Sequence, residues 1–224
     1  MMRPQRLLVL IAGPLFLVGC SGTEPMTHPA ATAPIKPSAP TVGEPFTTEP
    51  TKMALIHKGK TVTVGMSADA ALKVFQDVRS GGFEADQLPP GFAEPYRARS
   101  WEDGQHGFGV ILYNDRVVSA MYQEEVASFD RLKEFVLEYR AVLNGVQPQL
   151  IQGKRVDYWI WDKDDQRVVI CGFEADPNRV KITACMGDSR VLDAIGMSYE
   201  RAIRDQAKVD AQSVLGQTPR GSAK

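Results

Sequence analysis

The spacing of apolar and polar positions changes several times along the chain, and each change marks an element. Lys60 to Val64 alternates and runs into Gly65-Met66-Ser67, after which Ala71, Leu72, Phe75 and Val78 fall at helical spacing. Ser67 suits the N-cap of a helix over Ala68 to Arg79, because its short hydroxyl side chain can accept from an orphan backbone N–H, and Gly81 can close that helix. Residues 80–106, with Gly81-Gly82, Pro89-Pro90 and Pro95, have no regular period and read as a long irregular connection of the kind that carries function in compact domains. Phe108 to Tyr113 and Arg116 to Tyr122 flank Asn114-Asp115, two residues that tolerate positive φ, and so predict a hairpin. Ser128 then precedes a helix with Phe129, Leu132, Phe135, Val136, Tyr139 and Leu143 on one side, ended by Asn144-Gly145.

Three strands follow: Val156 to Trp161, Arg167 to Phe173 and Arg179 to Cys185. Side chains in a strand alternate between faces, so charge pairing across the turns selects a register. Setting Asp162 against Arg167 and Glu174 against Arg179 puts Tyr158 opposite Cys171 and Cys171 opposite Ile182. One face then gathers Val156, Tyr158, Ile160, Val169, Cys171, Phe173, Val180, Ile182 and Ala184. The other gathers Trp159, Trp161, Val168, Ile170, Lys181, Thr183 and Cys185. A slip of one residue in the last pair, placing Glu174 opposite Val180, is the poorer choice on this reasoning. Ser198 caps a closing helix from Tyr199, and Gly196-Met197-Ser198 repeats the earlier Gly65-Met66-Ser67 start. The order β-α-ββ-α-βββ-α predicts an α+β fold, an antiparallel sheet of about five to six strands with two to three helices packed on one face as a two-layer sandwich.

The first fifty residues differ from everything after them. Arg3 and Arg6 precede a run of about twelve apolar residues, Leu7 to Val18, too short for the roughly 20 residues a membrane span needs but right for a cleaved signal peptide. Residues 21–52 hold seven of the fifteen prolines and seven threonines. Proline withholds backbone donors, so this segment reads as a semi-extended tether rather than a ladder or helix. The organisation expected is a signal peptide over 1–19, Cys20 with its tether over 20–52, one domain over 53–215 and a tail over 216–224.

Leu17-Val18-Gly19-Cys20 directly ends the apolar run, and this resembles the lipobox of bacterial lipoproteins. The resemblance covers about the first tenth of the chain. It implies diacylglycerol transfer to the Cys20 thiol, cleavage after Gly19 and acylation of the new amino group with chains such as palmitate. Two or three acyl chains hold a protein durably to a bilayer, at about 0.8 kcal/mol per buried methylene. Ser21 in place of Asp is similar to the outer-membrane sorting pattern, which implies a cell-envelope address facing the periplasm in a Gram-negative host. The Gly65-Met66-Ser67 helix start after a lipidated arm is similar to that of two-layer periplasmic modules such as the small lipoprotein subunit of the outer-membrane β-barrel assembly machinery. That likeness covers the tripeptide and implies only a fold.

Charge narrows the partners. The formal net charge is -1, and losing Arg3 and Arg6 leaves 24 basic against 27 acidic residues, or -3. With no Lys/Arg block, a nucleic-acid partner is not expected. The histidines His28, His57 and His106 form no ligand spacing, and Asp162-Lys163-Asp164-Asp165 lacks the glycine and distal glutamate of a calcium loop, so no metal or cofactor is expected. Cys171 and Cys185, on opposite faces in the register above, read as unpaired thiols. No nucleophile elbow or phosphate loop is present, and the domain reads as non-enzymatic. Two contact surfaces remain. Trp159, Trp161, Val168 and Ile170 would form an apolar face that either meets an envelope protein partner or is covered by the 80–106 loop or a terminal helix. Alternatively Tyr96, Arg97, Arg99 and Trp101 would let the 80–106 segment take a glycan or an anionic polymer, or act as the contact of an inhibitor lipoprotein, against the plainer reading of an edge strand with solvated arginines.

Overall fold

A computed structural model of the chain describes residues 41–49, 53–75, 84–86, 88–102, 106–143, 145–153, 156–176 and 179–215. The amino-terminal signal-like segment with Cys20, the end of the first predicted helix and the tail from 216 lie outside them.

A hairpin of β1 (Ala54–His57) and β2 (Lys60–Thr63) turns at Lys58 and Gly59, both at positive φ. It leads into α1 (Ala68–Val74), which Ser67 caps by accepting from the Ala70 N–H at 3.3 Å. Then come β3 (Glu84–Asp86), β4 (Tyr96–Glu102), β5 (His106–Tyr113) and β6 (Arg116–Val126). The second helix, α2 (Phe129–Val142), is followed by β7 (Gln149–Gln152), β8 (Val156–Lys163), β9 (Gln166–Asp176) and β10 (Arg179–Asp188), and the chain closes with α3 (Ser189–Ala194) and α4 (Tyr199–Leu215). Ser128 stands at the N-cap of α2 with extended backbone, yet its side chain makes no capping bond.

The α+β class holds, with more elements than the pattern predicts. The main sheet has eight antiparallel strands in the order β3-β4-β5-β6-β10-β9-β8-β7. The irregular connection expected over 80–106 instead contains β3 and β4, and α3 is an additional element between the last strand and the closing helix. The strand order has an internal symmetry. A helix followed by a four-strand meander occurs twice, as α1 with β3–β6 and α2 with β7–β10, and the two units join antiparallel through their last strands, with Val180 opposite Val126. The repeated Gly-Met-Ser starts do not mark this repeat, since they precede α1 and α4.

Helices cover both faces, which corrects the two-layer expectation. On one face α1, α2 and the β1–β2 hairpin share a core with Phe108, Leu112, Tyr122, Trp159, Trp161, Ile170 and Ile182. On the other, α3 packs with Phe92, Tyr96, Met121 and Cys185, while Ala202 of α4 packs on Ile151, Ile160 and Val169.

The cause is a one-residue slip. Asp162 does oppose Arg167 and Tyr158 does oppose Cys171. At Arg179/Val180, however, the ladder shifts register, so Arg179 opposes Asp176, Val180 opposes Glu174 and Cys171 opposes Thr183 rather than Ile182. A single-residue offset exchanges a strand's two faces. Val180, Ile182 and Ala184 therefore join the tryptophan face, and Lys181, Thr183 and Cys185 leave it.

Residues 41–49, which composition assigns to the tether, form a strap on the second face. The Val42 N–H donates to Gly91 O at 2.7 Å, and Tyr96 Oη donates to Gly43 O at 2.7 Å. Asp188 accepts from the Thr47 N–H at 2.9 Å while capping α3 through the Val191 N–H at 3.2 Å. Burial raises this carboxyl's pKa, and N–H donors from Thr47, Val191, Phe46 and Arg190 work against that shift. The outer edge of β7, a site open to unwanted strand addition, is capped where Gln206 of α4 donates to Gln152 O.

Candidate functional site

The paired tryptophans are not a surface. Trp161, Val168 and Ile170 are each 0% exposed and Trp159 is 8%, beneath α2 and the hairpin. The motive for a partner site there was that helices covered only the opposite face, and the shifted register removes it.

The second predicted surface divides. Alternation along β4 sends Tyr96, Ala98 and Ser100 inward toward α3, where Tyr96 is 3% exposed and meets Phe92 edge-on at 5.0 Å. Arg97 and Arg99 project from the opposite face, opposite Leu112 and Val110 of β5. They line a groove of about 490 Å³ with Ser67, Ala68, Asp69 and Leu72 of the α1 start, Leu112, and Asp115 of the β5–β6 turn. The groove is shallow and about half open to solvent. The Trp101 side chain lies outside the described residues.

Comparison of the two units shows where the groove comes from. In the second unit the fourteen residues of α2 lie over Trp159 and Trp161 of β8. In the first, α1 has seven described residues, and the start of this helix lines the groove together with Arg97 and Arg99 of β4. Arg97 is tied to Asp115 at 3.3 Å. Arg99 is half-buried, and no ion pair to it or to Asp69 is found among the described residues. Sequence reading found the two arginines but missed Ser67, Asp69, Leu72, Leu112 and Asp115. The only signal in the chain was the alternation of Arg97 and Arg99 with small or buried neighbours, which is itself a strand pattern.

A second polar cluster was not foreseen at all. His57 of β1 is 5% exposed, with its ring 4.4 Å from that of Tyr122 and 5.5 Å from that of Phe75. Its Nε2 has no hydrogen-bond partner. Tyr122 Oη donates to Glu124 Oε2 at 3.1 Å, and Arg131 of α2 lies 3.4 Å from Glu124 Oε1. Burial, with Lys58, His106, Arg131 and Lys60 adding repulsion, pushes the His57 pKa down to about 4. At neutral pH this ring is an uncharged core residue. The contributing positions are scattered along the chain, which is why no motif announced them.

The cysteines lie on one face, since Cys171 opposes Thr183 and Cys185 opposes Val169, correcting the opposite-face expectation. Both are free, and burial raises the Cys171 pKa to about 11 and that of Cys185 well above the usual thiol range. Neither is poised as a nucleophile. The acidic turn after β8 is a tight turn with Asp164 and Asp165 at φ of 50° and 60°. Among the described residues no group of three metal-ligating side chains is found, and no helix is long and apolar enough to cross a membrane. No protein-family model, curated protein or solved structure matches this chain.

Proposed function

We propose that this chain is an envelope lipoprotein, held to a membrane through lipid on Cys20, whose folded part binds a small ligand bearing an anionic group in the Arg97/Arg99 groove, without catalysis. One observation carries the reading: an open groove of about 490 Å³ lined by two arginines. Guanidinium groups hold carboxylates and phosphates through charge-assisted hydrogen bonds. The partner-protein alternative loses its support with the burial of Trp159 and Trp161.

The strap bears on how such a groove would be presented. Gly43 and Glu44 lie at the end of the sheet where Tyr96 and Tyr113 pair, one residue along from the Arg97–Leu112 pair. The described strap and the groove thus lie toward the same end of the sheet, on opposite faces. With the strap docked, the span left is residues 21–40, at most roughly 62 Å at about 3.1 Å per residue. A ligand held here would lie in the space close to the anchoring membrane.

The test is calorimetric titration of the full chain in detergent with the singly charged acid N-acetylalanine, and with N-acetylalanine amide as the uncharged control. Binding of the acid alone, weakened roughly tenfold or more in Arg97→Gln/Arg99→Gln, is expected from the loss of charged hydrogen bonds. Equal affinity in the double variant would overturn the proposal.

A further inference from the structure

Four charged groups line the groove, and among the described residues only Arg97 and Asp115 pair with each other. Arg97 and Asp115 form an exposed ion pair at 3.3 Å on the lining of the groove. Arg99 on β4 and Asp69 on α1 remain, one of each sign, across a floor made by Leu72 and Leu112. Leu112 is buried and Leu72 half-buried, so the floor is apolar and continuous with the core. A polyanion would bring negative charge onto both Asp69 and Asp115, and like charges at contact distance repel. A ligand carrying one charge of each sign, separated by an apolar stem, would match every wall.

Resting on the groove reading above, we infer that the ligand is a zwitterion of short-peptide type, its carboxylate on Arg99, its ammonium on Asp69 and its small side chains over Leu72 and Leu112. Size agrees with charge. A space of about 490 Å³ is about 8 Å across, a length that two to three extended residues fill at about 3.3–3.6 Å each.

The experiment compares trialanine, N-acetyl-trialanine and trialanine amide against the full-length chain by calorimetry. Trialanine binds most tightly, and blocking either terminus lowers affinity roughly tenfold, as expected for one lost charged hydrogen bond. Asp69→Asn removes the advantage of the free amine and leaves N-acetyl-trialanine unaffected, while Arg99→Gln weakens both peptides that keep a carboxylate. Circular dichroism of each variant confirms an unchanged fold, because both side chains project into the groove rather than the core. Equal binding of trialanine and its N-acetyl form, or an unchanged trialanine affinity in Asp69→Asn, overturns the zwitterion while leaving an anion-binding groove standing. Failure of Arg99→Gln to affect any carboxylate probe overturns both.

Discussion

Acid should loosen the first face of the sheet through a single side chain. His57 is buried between Phe75 and Tyr122, its Nε2 unpartnered, with Lys58 and Lys60 on its own hairpin, His106 on β5 and Arg131 on α2 all opposing a positive ring. Across the cluster Glu124 is the one acid, and it is engaged by Tyr122 and Arg131. The folded pKa of about 4 against 6.5 when unfolded means that the unfolded chain binds more protons between those values. Stability from this residue is therefore complete above pH 6.5 and is lost as pH falls toward 4. At about 1.36 kcal/mol per unit, a descent from pH 7.5 to 4.5 costs about 2.5 kcal/mol. Every carboxylate also titrates in that range, so the informative quantity is a difference. Urea unfolding at both pH values, followed by tryptophan fluorescence, should show His57→Phe losing about 2.5 kcal/mol less than the wild-type chain. At neutral pH the variant should be as stable or more so, since an unpartnered buried nitrogen is removed and the ring stacking is kept. Equal pH dependence in the two proteins would refute the reasoning, and so would a large loss in the variant at pH 7.5.

Two other expectations follow from the packing. Trp161→Leu should cost roughly 2–4 kcal/mol by urea denaturation, as for a large core truncation; a change within about 0.5 kcal/mol, as at a surface position, would return the ring to solvent. Asp188→Ala should free both the strap and the start of α3, lowering stability by about 2–3 kcal/mol through one lost cap and one lost charged bond. It should also expose 41–49 to limited proteolysis, and an unchanged cleavage pattern would show that Asp188 does not hold the strap.

What was legible in the chain was whatever depends on local spacing. The α2 stripe from Leu132 to Tyr139, the Asn114-Asp115 turn and the Asp162–Arg167 pairing are all properties of neighbouring residues. The failures are non-local. The shift at Arg179/Val180 is not set by the turn alone: it places Arg179 opposite Asp176 rather than Glu174 and accompanies the burial of Val180, Ile182, Ala184 and Met186 under the hairpin and helices. Surface ion pairs contribute roughly 0–1 kcal/mol, against about 1.5–3 kcal/mol for each buried aliphatic side chain, so burial prevails. That one residue decided which face held the tryptophans and whether the cysteines shared a side. The short strands β3 and β7 escaped notice because three or four residues carry too little alternation to read. The groove was half visible, in Arg97 and Arg99, while its other wall came from α1, some thirty residues earlier in the chain.

The most direct test of the groove as the binding site is side-chain NMR of the arginines in the full-length chain. Titrating in trialanine while following the Nε–Hε signals should shift Arg99 most and Arg97 next, with Arg116, Arg131 and Arg167 unmoved. Shifts confined to those other three, or no shift in Arg97 and Arg99 at saturating peptide, would contradict the account.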